Sequence, residues 1–238
     1  MKAIAAETPH SYGRRRMAKQ RPDEGFAVGR CKARRLMQQA GVSVRRARPR
    51  HPLTTHSRHG YGVAPNRLAR QFDVERPDQV WVGEITYVWT AEGWLYVSVL
   101  LDLYARQVVG WAMRRRLDAI MVQEALHMAR GRRKPSAGLM HHADRGSQDA
   151  CHAYQRLLGT HGIGCRMSRQ GECLDNAVAE RFFGSLKREC TASRYDATRQ
   201  DARDDVIDDI EMFYNSRRKH SYLGYVSPND DEAFALVA

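Results

Sequence analysis

The sequence predicts a mixed α/β fold: a three-strand antiparallel meander plus two further strands, flanked by helices and preceded by a small basic helical segment. Three observations carry this. Residues 80–113 hold three runs of β-branched and aromatic residues with turn-length gaps between them. Helical and short apolar segments then alternate as far as residue 214, an order that builds a sheet covered by helices. The whole formal net charge of +12 falls in residues 1–60, which carry fifteen Lys/Arg against three Asp/Glu, and the remainder is neutral.

Taken in chain order, residues 12–20 predict a helix ended by Arg21-Pro22, because proline disfavours helix in the residue before it. Asp23-Glu24-Gly25 is turn material. Residues 30–40 predict a second helix with Leu36, Met37 and Ala40 as its apolar face, stopped by Gly41. Helix, short turn and basic helix read as a helix-turn-helix-like segment over residues 1–42. Residues 43–77 are rich in Arg, His and Pro without sustained period and read as a basic linker. The folded domain is expected over 78–238. Its meander comprises VWVGEITYVWT (80–90), WLYVSVLLDL (94–103) and QVVGWAM (107–113), and the near-continuous apolar middle run implies burial on both faces. A helix is expected at 118–130, a strand at 138–143, a helix at 148–161, a strand at 165–168, and helices at 176–189 and 198–214.

Composition excludes several classes. No apolar run approaches the ~18–20 residues that span a bilayer, and no long apolar core of a signal peptide stands at the N-terminus, so a cytoplasmic, nucleoid-associated location is expected. The five cysteines are odd in number and form no C-x-x-C pair, which signals neither a disulfide framework nor a zinc knuckle. Cys31 with His51, His56 and His59 fits no regular zinc spacing. A neutral body behind a basic leader suits phosphate-backbone binding with counterion release. The candidate DNA-gripping residues in the leader are Arg14, Arg15, Arg16, Arg30, Lys32, Arg34, Arg35, Arg45 and Arg46.

Phosphoryl transfer on DNA by two metals needs carboxylates from different elements to hold ions ~3.5–4 Å apart. Three acids stand out. Glu84 interrupts the first strand among Val, Ile, Tyr and Trp, where a lone charge is costly without a partner or ion. Asp144 ends the strand LMHHAD. Glu180 lies on the helix NAVAERFFGSLKREC, with Gly184 and Lys187 on its face.

The strings DRGSQ (144–148), DNAVAERFFGSLKRE (175–189) and YNSRRKHSYLGYVSP (214–228), with the opening WVGEITYVWTAEGWLY, resemble the catalytic domain of bacterial insertion-sequence transposases. This is the integrase-like subgroup of the DDE superfamily, encoded in two reading frames. The resemblance covers about residues 78–230. A weaker one over 12–42 is to the helix-turn-helix-like segment that precedes such domains. It implies an RNase H-like fold, two Mg²⁺ (or Mn²⁺) ions, and strand cleavage and joining at terminal inverted repeats of double-stranded DNA. It also implies a homo-oligomer on DNA and a DNA-binding partner from the upstream frame. The second and third acids map onto Asp144 and Glu180, and the basic residue two turns later onto Lys187, a contact for DNA. Arg217 and Arg218 are further DNA candidates, and Asp102, His142 and Asn176 are candidates for supporting positions around the metals.

One departure matters most. Where the family pattern has Asp in W-x-x-D-I-T-Y, this chain has Glu84. The extra methylene moves the carboxylate by ~1.5 Å, against a tolerance of ~0.5 Å for catalytic constellations. Weakened or abolished activity is the expectation, and the rival reading is a catalytically inactive DNA-binding remnant. Asp149 (aromatic in the family) and Leu174 (Trp in the family) point toward relaxed constraint. An RNase H or junction nuclease on the same fold is disfavoured by the basic leader.

Overall fold

The computed structural model describes residues 1–8, 11–23, 25, 27–44, 74–144, 146–167, 176–191 and 196–237. Its first hairpin follows directly from the alternating sequence. Strands β1 (Val80–Thr90) and β2 (Gly93–Asp102) pair antiparallel from Trp81 opposite Asp102 to Thr90 opposite Gly93. Gly93 takes φ +104, a backbone region open to glycine, and so lets the chain reverse over two residues. Strand β3 (Val108–Arg114) continues the meander. Strands β4 (Met140–Ala143) and β5 (Gly164–Met167) add in parallel on the other side, giving the order β3-β2-β1-β4-β5. The five-strand mixed sheet is the one the sequence predicts.

Both faces are covered, which explains the near-continuous apolar run in β2. On one face Trp81, Leu100 and Val109 pack against Met121, Ala125, Leu126 and Ala129 of α4 (Ala119–Arg133), with Tyr154 and Leu158 of α6 (His152–Thr160). The approach of α4 to β3 is so close that a Cβ on Gly110 would lie 2.3 Å from the Ala125 carbonyl oxygen. On the other face Val82, Val97 and Val99 meet Phe182, Phe183 and Leu186 of α7 (Ala177–Leu186) and Val206 of α8 (Arg199–Asp208). Helix α4 starts where the Asp118 side chain accepts from the Met121 N–H at 3.1 Å, and α8 starts on a Thr198–Asp201 capping box.

The helical expectations need amendment in four places. The helix expected at 148–161 is two, α5 (Ser147–Ala150) and α6, because Cys151 is extended (ψ 144). Helices α7 and α8 each run on as π-helical segments, Lys187–Thr191 and Asp209–Tyr214. The helix α2 (Arg14–Asp23) passes through Pro22 instead of stopping before it; a proline in the last turn deletes only one ladder hydrogen bond. Helices α1 (Lys2–Glu7) and α9 (Pro228–Val237) were not expected.

The N-terminal helices are docked, not detached. Tyr12, Met17 of α2 and Met37 of α3 (Arg30–Gln39) form one buried cluster with Ile4 and with Phe213. The Tyr12 hydroxyl accepts from the Lys219 N–H at 2.7 Å. Among the described residues, no helix is long and apolar enough to cross a membrane.

Candidate active site

The site assembles where β4 ends. The parallel register places Gly83 opposite Ala143, so the next residues, Glu84 and Asp144, emerge side by side from adjacent strands. Helix α7 packs against β1 through its apolar face, and its leading residues carry Asn176 and Glu180 to the same place. Asn176 is 2% exposed, and its amide nitrogen donates to the Gly83 carbonyl at 3.2 Å and also to the Glu84 carboxylate. Gly146 donates its N–H to Asp144 Oδ1 at 2.8 Å.

The electrostatics show the acids to be mutual neighbours. Burial pushes the Glu84 carboxyl well above the usual range, and the charges of Asp144, Asp149 and Glu180 push the same way, with the Asn176 hydrogen bond opposing them. Burial and Asp144 raise Asp149 well above, and raise Glu180. Burial lowers the Lys187 ammonium, while Glu84 works to raise it; its Nζ stands 5.1 Å from the Tyr87 ring centroid. Lys187 is the residue at which α7 turns π-helical, a distortion frequent at functional sites.

Four carboxylates crowded from β1, the β4 exit, α5 and α7 make a hard-oxygen donor set, and their mutual repulsion is of the kind a divalent cation relieves. The chemistry of the donors therefore fits Mg²⁺ or Mn²⁺. Among the described residues, no three acids, histidines or cysteines close on a single ion as they stand. Glu84 is instead engaged by Asn176.

An integrase core domain model matches residues 74–173, a second integrase core domain model matches 161–228, and an HTH-like domain model matches 1–50. The insertion element IS600 31 kDa protein of Shigella sonnei is 40% identical over 96% of this chain and 84% of its own length. The transposase InsF for insertion sequence IS3A of Escherichia coli K12 is 37% identical over 97% of this chain and 80% of its own. The chain belongs to the insertion-sequence transposases with an integrase core. The HTLV-2 integrase catalytic core domain, in complex with magnesium, shares its fold at TM-score 0.52 and 12% identity, covering 67% of this chain and 99% of that one. The sheet is thus that of the RNase H-like integrase cores.

Within this transposase the remaining candidates are placed as follows. His142 is buried in β4, two residues before Asp144 and opposite Val82, on the face that α7 covers. Asp102 lies elsewhere: it accepts the Asp78 and Tyr104 N–H groups at 2.6 and 2.7 Å and neighbours Arg133, so it caps the turn after β2. Arg218 is 3% exposed and spends its guanidinium on Glu189, at 2.7 and 2.8 Å, on Ser185 and on His220. These buried partners fix its guanidinium in the interior wall. Arg217 is exposed and donates to the Met212 carbonyl at 2.6 Å. Arg14, Arg15, Arg30, Lys32, Arg34 and Arg35 are exposed on α2 and α3, whereas Arg16 turns inward toward Glu189 at 3.8 Å. Arg45, Arg46 and Leu174 lie outside the described residues.

One site residue escaped the sequence reading. Asp149, taken there as a sign of relaxed constraint, is 5% exposed and adds a fourth carboxylate. A Cβ on Gly146 would lie 2.9 Å from Asp144 Oδ1 and 3.4 Å from Asp149 Oδ2, so the loop passes both carboxylates at close range. The signal was present: an acid replacing an aromatic five residues after Asp144 is a change of charge, not only of packing.

Proposed function

We propose that this transposase cleaves and joins double-stranded DNA at the inverted-repeat ends of its element, with Glu84, Asp144 and Glu180 holding two Mg²⁺ (or Mn²⁺) ions. The observation that carries the reading is the convergence of carboxylates from separate elements: burial and then the charge of Asp144 raise both the Glu84 and the Glu180 carboxyls. Bound ions supply activation of the attacking water or 3′-hydroxyl and stabilisation of the leaving oxygen. Asn176 orients Glu84 through its amide. Lys187, beside Glu84, positions a DNA-end phosphate. The exposed Arg14, Arg15, Arg30, Lys32, Arg34 and Arg35 grip the backbone outside the core. The protein works as a homo-oligomer on DNA, alongside a DNA-binding partner from the upstream frame.

Activity is reduced by the glutamate. A carboxylate ~1.5 Å out of place costs on the order of 100-fold in rate. One observation favours a second reading, a DNA-binding remnant without chemistry: Glu84 is bonded to Asn176 and the described carboxylates cage no ion. Metal-dependent joining of terminal-repeat DNA by the wild type and Glu84→Asp, with binding measured alongside, separates the two.

A further inference from the structure

Beside the carboxylates, on the neighbouring face of α7, opens a cavity of about 430 Å³. Arg16, Arg106, Arg181, Arg188 and Arg218 all line it, together with Tyr222, and among the described residues no carboxylate does. Glu189 lies under the wall, where it bonds Arg218 and stands 3.8 Å from Arg16 and 3.5 Å from Arg188. Glu189 thus faces Arg218, Arg16 and Arg188 together, and the described lining is strongly cationic. His220, also in the lining, registers it: burial, then Arg218, Arg16 and Arg106, hold its imidazole down at about 2. Tyr222 is 52% exposed, and the Arg106 guanidinium lies 4.0 Å from its ring centroid. The volume is that of a single-ligand site and is too small for a duplex, whose major groove alone is ~12 Å wide.

We propose that this cavity seats one unpaired nucleotide of the DNA end, its phosphate held by Arg16, Arg181 and Arg188 and its base stacked on Tyr222. Arginine forks match phosphate oxygens, and a sequence-tolerant aromatic face accepts any base. Arg181 follows Glu180 directly, hence lies about 100° around the helix from it. A strand whose reacting phosphate lies at the carboxylates therefore passes over Arg181 into the cavity. Arg16 comes from α2, so the seated nucleotide would join the helix-turn-helix-like unit to the catalytic core.

The inference rests on the transposase reading. Its test uses the full chain and labelled duplex from the inverted repeat flanking its gene, either blunt or with unpaired end nucleotides. Tyr222→Ala, at an exposed site, is expected to weaken the unpaired-end DNA about 10-fold and leave the blunt duplex unchanged. Arg181→Glu is expected to weaken the unpaired-end form and to lower its salt slope by about one. Equal effects of Tyr222→Ala on both DNAs, or none on either, would overturn the proposal, as would an unchanged salt slope in Arg181→Glu. A free mononucleotide that binds the wild type without displacing unpaired-end DNA would overturn the assignment to DNA. If neither the wild type nor Glu84→Asp binds or joins DNA, the transposase reading itself fails. If both bind and the two cavity variants bind as well as they do, only the inference fails.

Discussion

Removing the buried Glu189–Arg218 pair from either side has unequal consequences, and the inequality follows from the geometry. Both residues are 3% exposed and bonded through two contacts of 2.7 and 2.8 Å. Leaving one partner of such a pair behind costs about 3–5 kcal/mol. Arg218→Met leaves Glu189 with Arg16 at 3.8 Å and Arg188 at 3.5 Å, both able to neutralise it in part. Glu189→Gln leaves three arginines facing one another, and unit charges ~4 Å apart at an effective dielectric of ~20 interact by about 4 kcal/mol. Arg218→Met is therefore expected near the bottom of the range, about 3 kcal/mol, and Glu189→Gln at its top, about 5 kcal/mol. With ~2–4 °C per kcal/mol for a chain of this size, the melting points fall by about 6–12 °C and about 10–20 °C. Urea unfolding followed by tryptophan fluorescence measures both. The reasoning is refuted if Arg218→Met costs as much as Glu189→Gln, or if either costs less than about 1 kcal/mol.

Three further outcomes are expected. Gly110→Ala forces a methyl group to 2.3 Å from the Ala125 carbonyl oxygen, where only backbone can yield, so urea unfolding reads a loss of about 1–3 kcal/mol or more; an unchanged midpoint contradicts the close α4–β3 contact. Burial holds the His141 imidazole down at about 3 against 6.5 in the unfolded chain, so its contribution is complete above pH 6.5 and is lost as pH falls from 6.5 toward 3. His141→Gln should flatten the stability–pH slope between pH 6 and 4 by about 1.4 kcal/mol per unit, and a parallel slope refutes the assignment. Asp149→Asn should weaken Mn²⁺ binding about 10-fold or more if the fourth carboxylate serves the metals; an unchanged titration removes Asp149 from the site.

The sheet was legible because β-strands write their burial into sequence. The apolar run of β2 between two turn-length gaps allowed little but a central strand, and Glu84 stood out because nothing else charged interrupts β1. The positions of Asp144 and Glu180 rested on their flanking strings as much as on physics. What stayed hidden depends on long-range packing. Arg218 sits in a run of exposed-looking charges, and only the fold brings Glu189 and Ser185 to it. Asp102 ends an apolar run, and its part as a turn cap shows only once Asp78 and Tyr104 are seen donating to it. Arg16 looked like its neighbours Arg14 and Arg15, but the docking of α2 through Tyr12 and Met17 turns it inward. Asp149 was read as a lost aromatic because its nearness to Asp144 depends on α5 turning back after Gly146.

Glu84 is one methylene longer than the Asp of the family pattern it resembles, and the proposed loss of activity turns on that difference. The most direct measurement is the initial rate of Mg²⁺-dependent joining of inverted-repeat DNA by purified wild type and Glu84→Asp, compared at equal DNA occupancy. Glu84→Asp is expected to be faster by about 10- to 100-fold, with the increase lost when Asp144 or Glu180 is also replaced by its amide. Equal rates for the two proteins would contradict it.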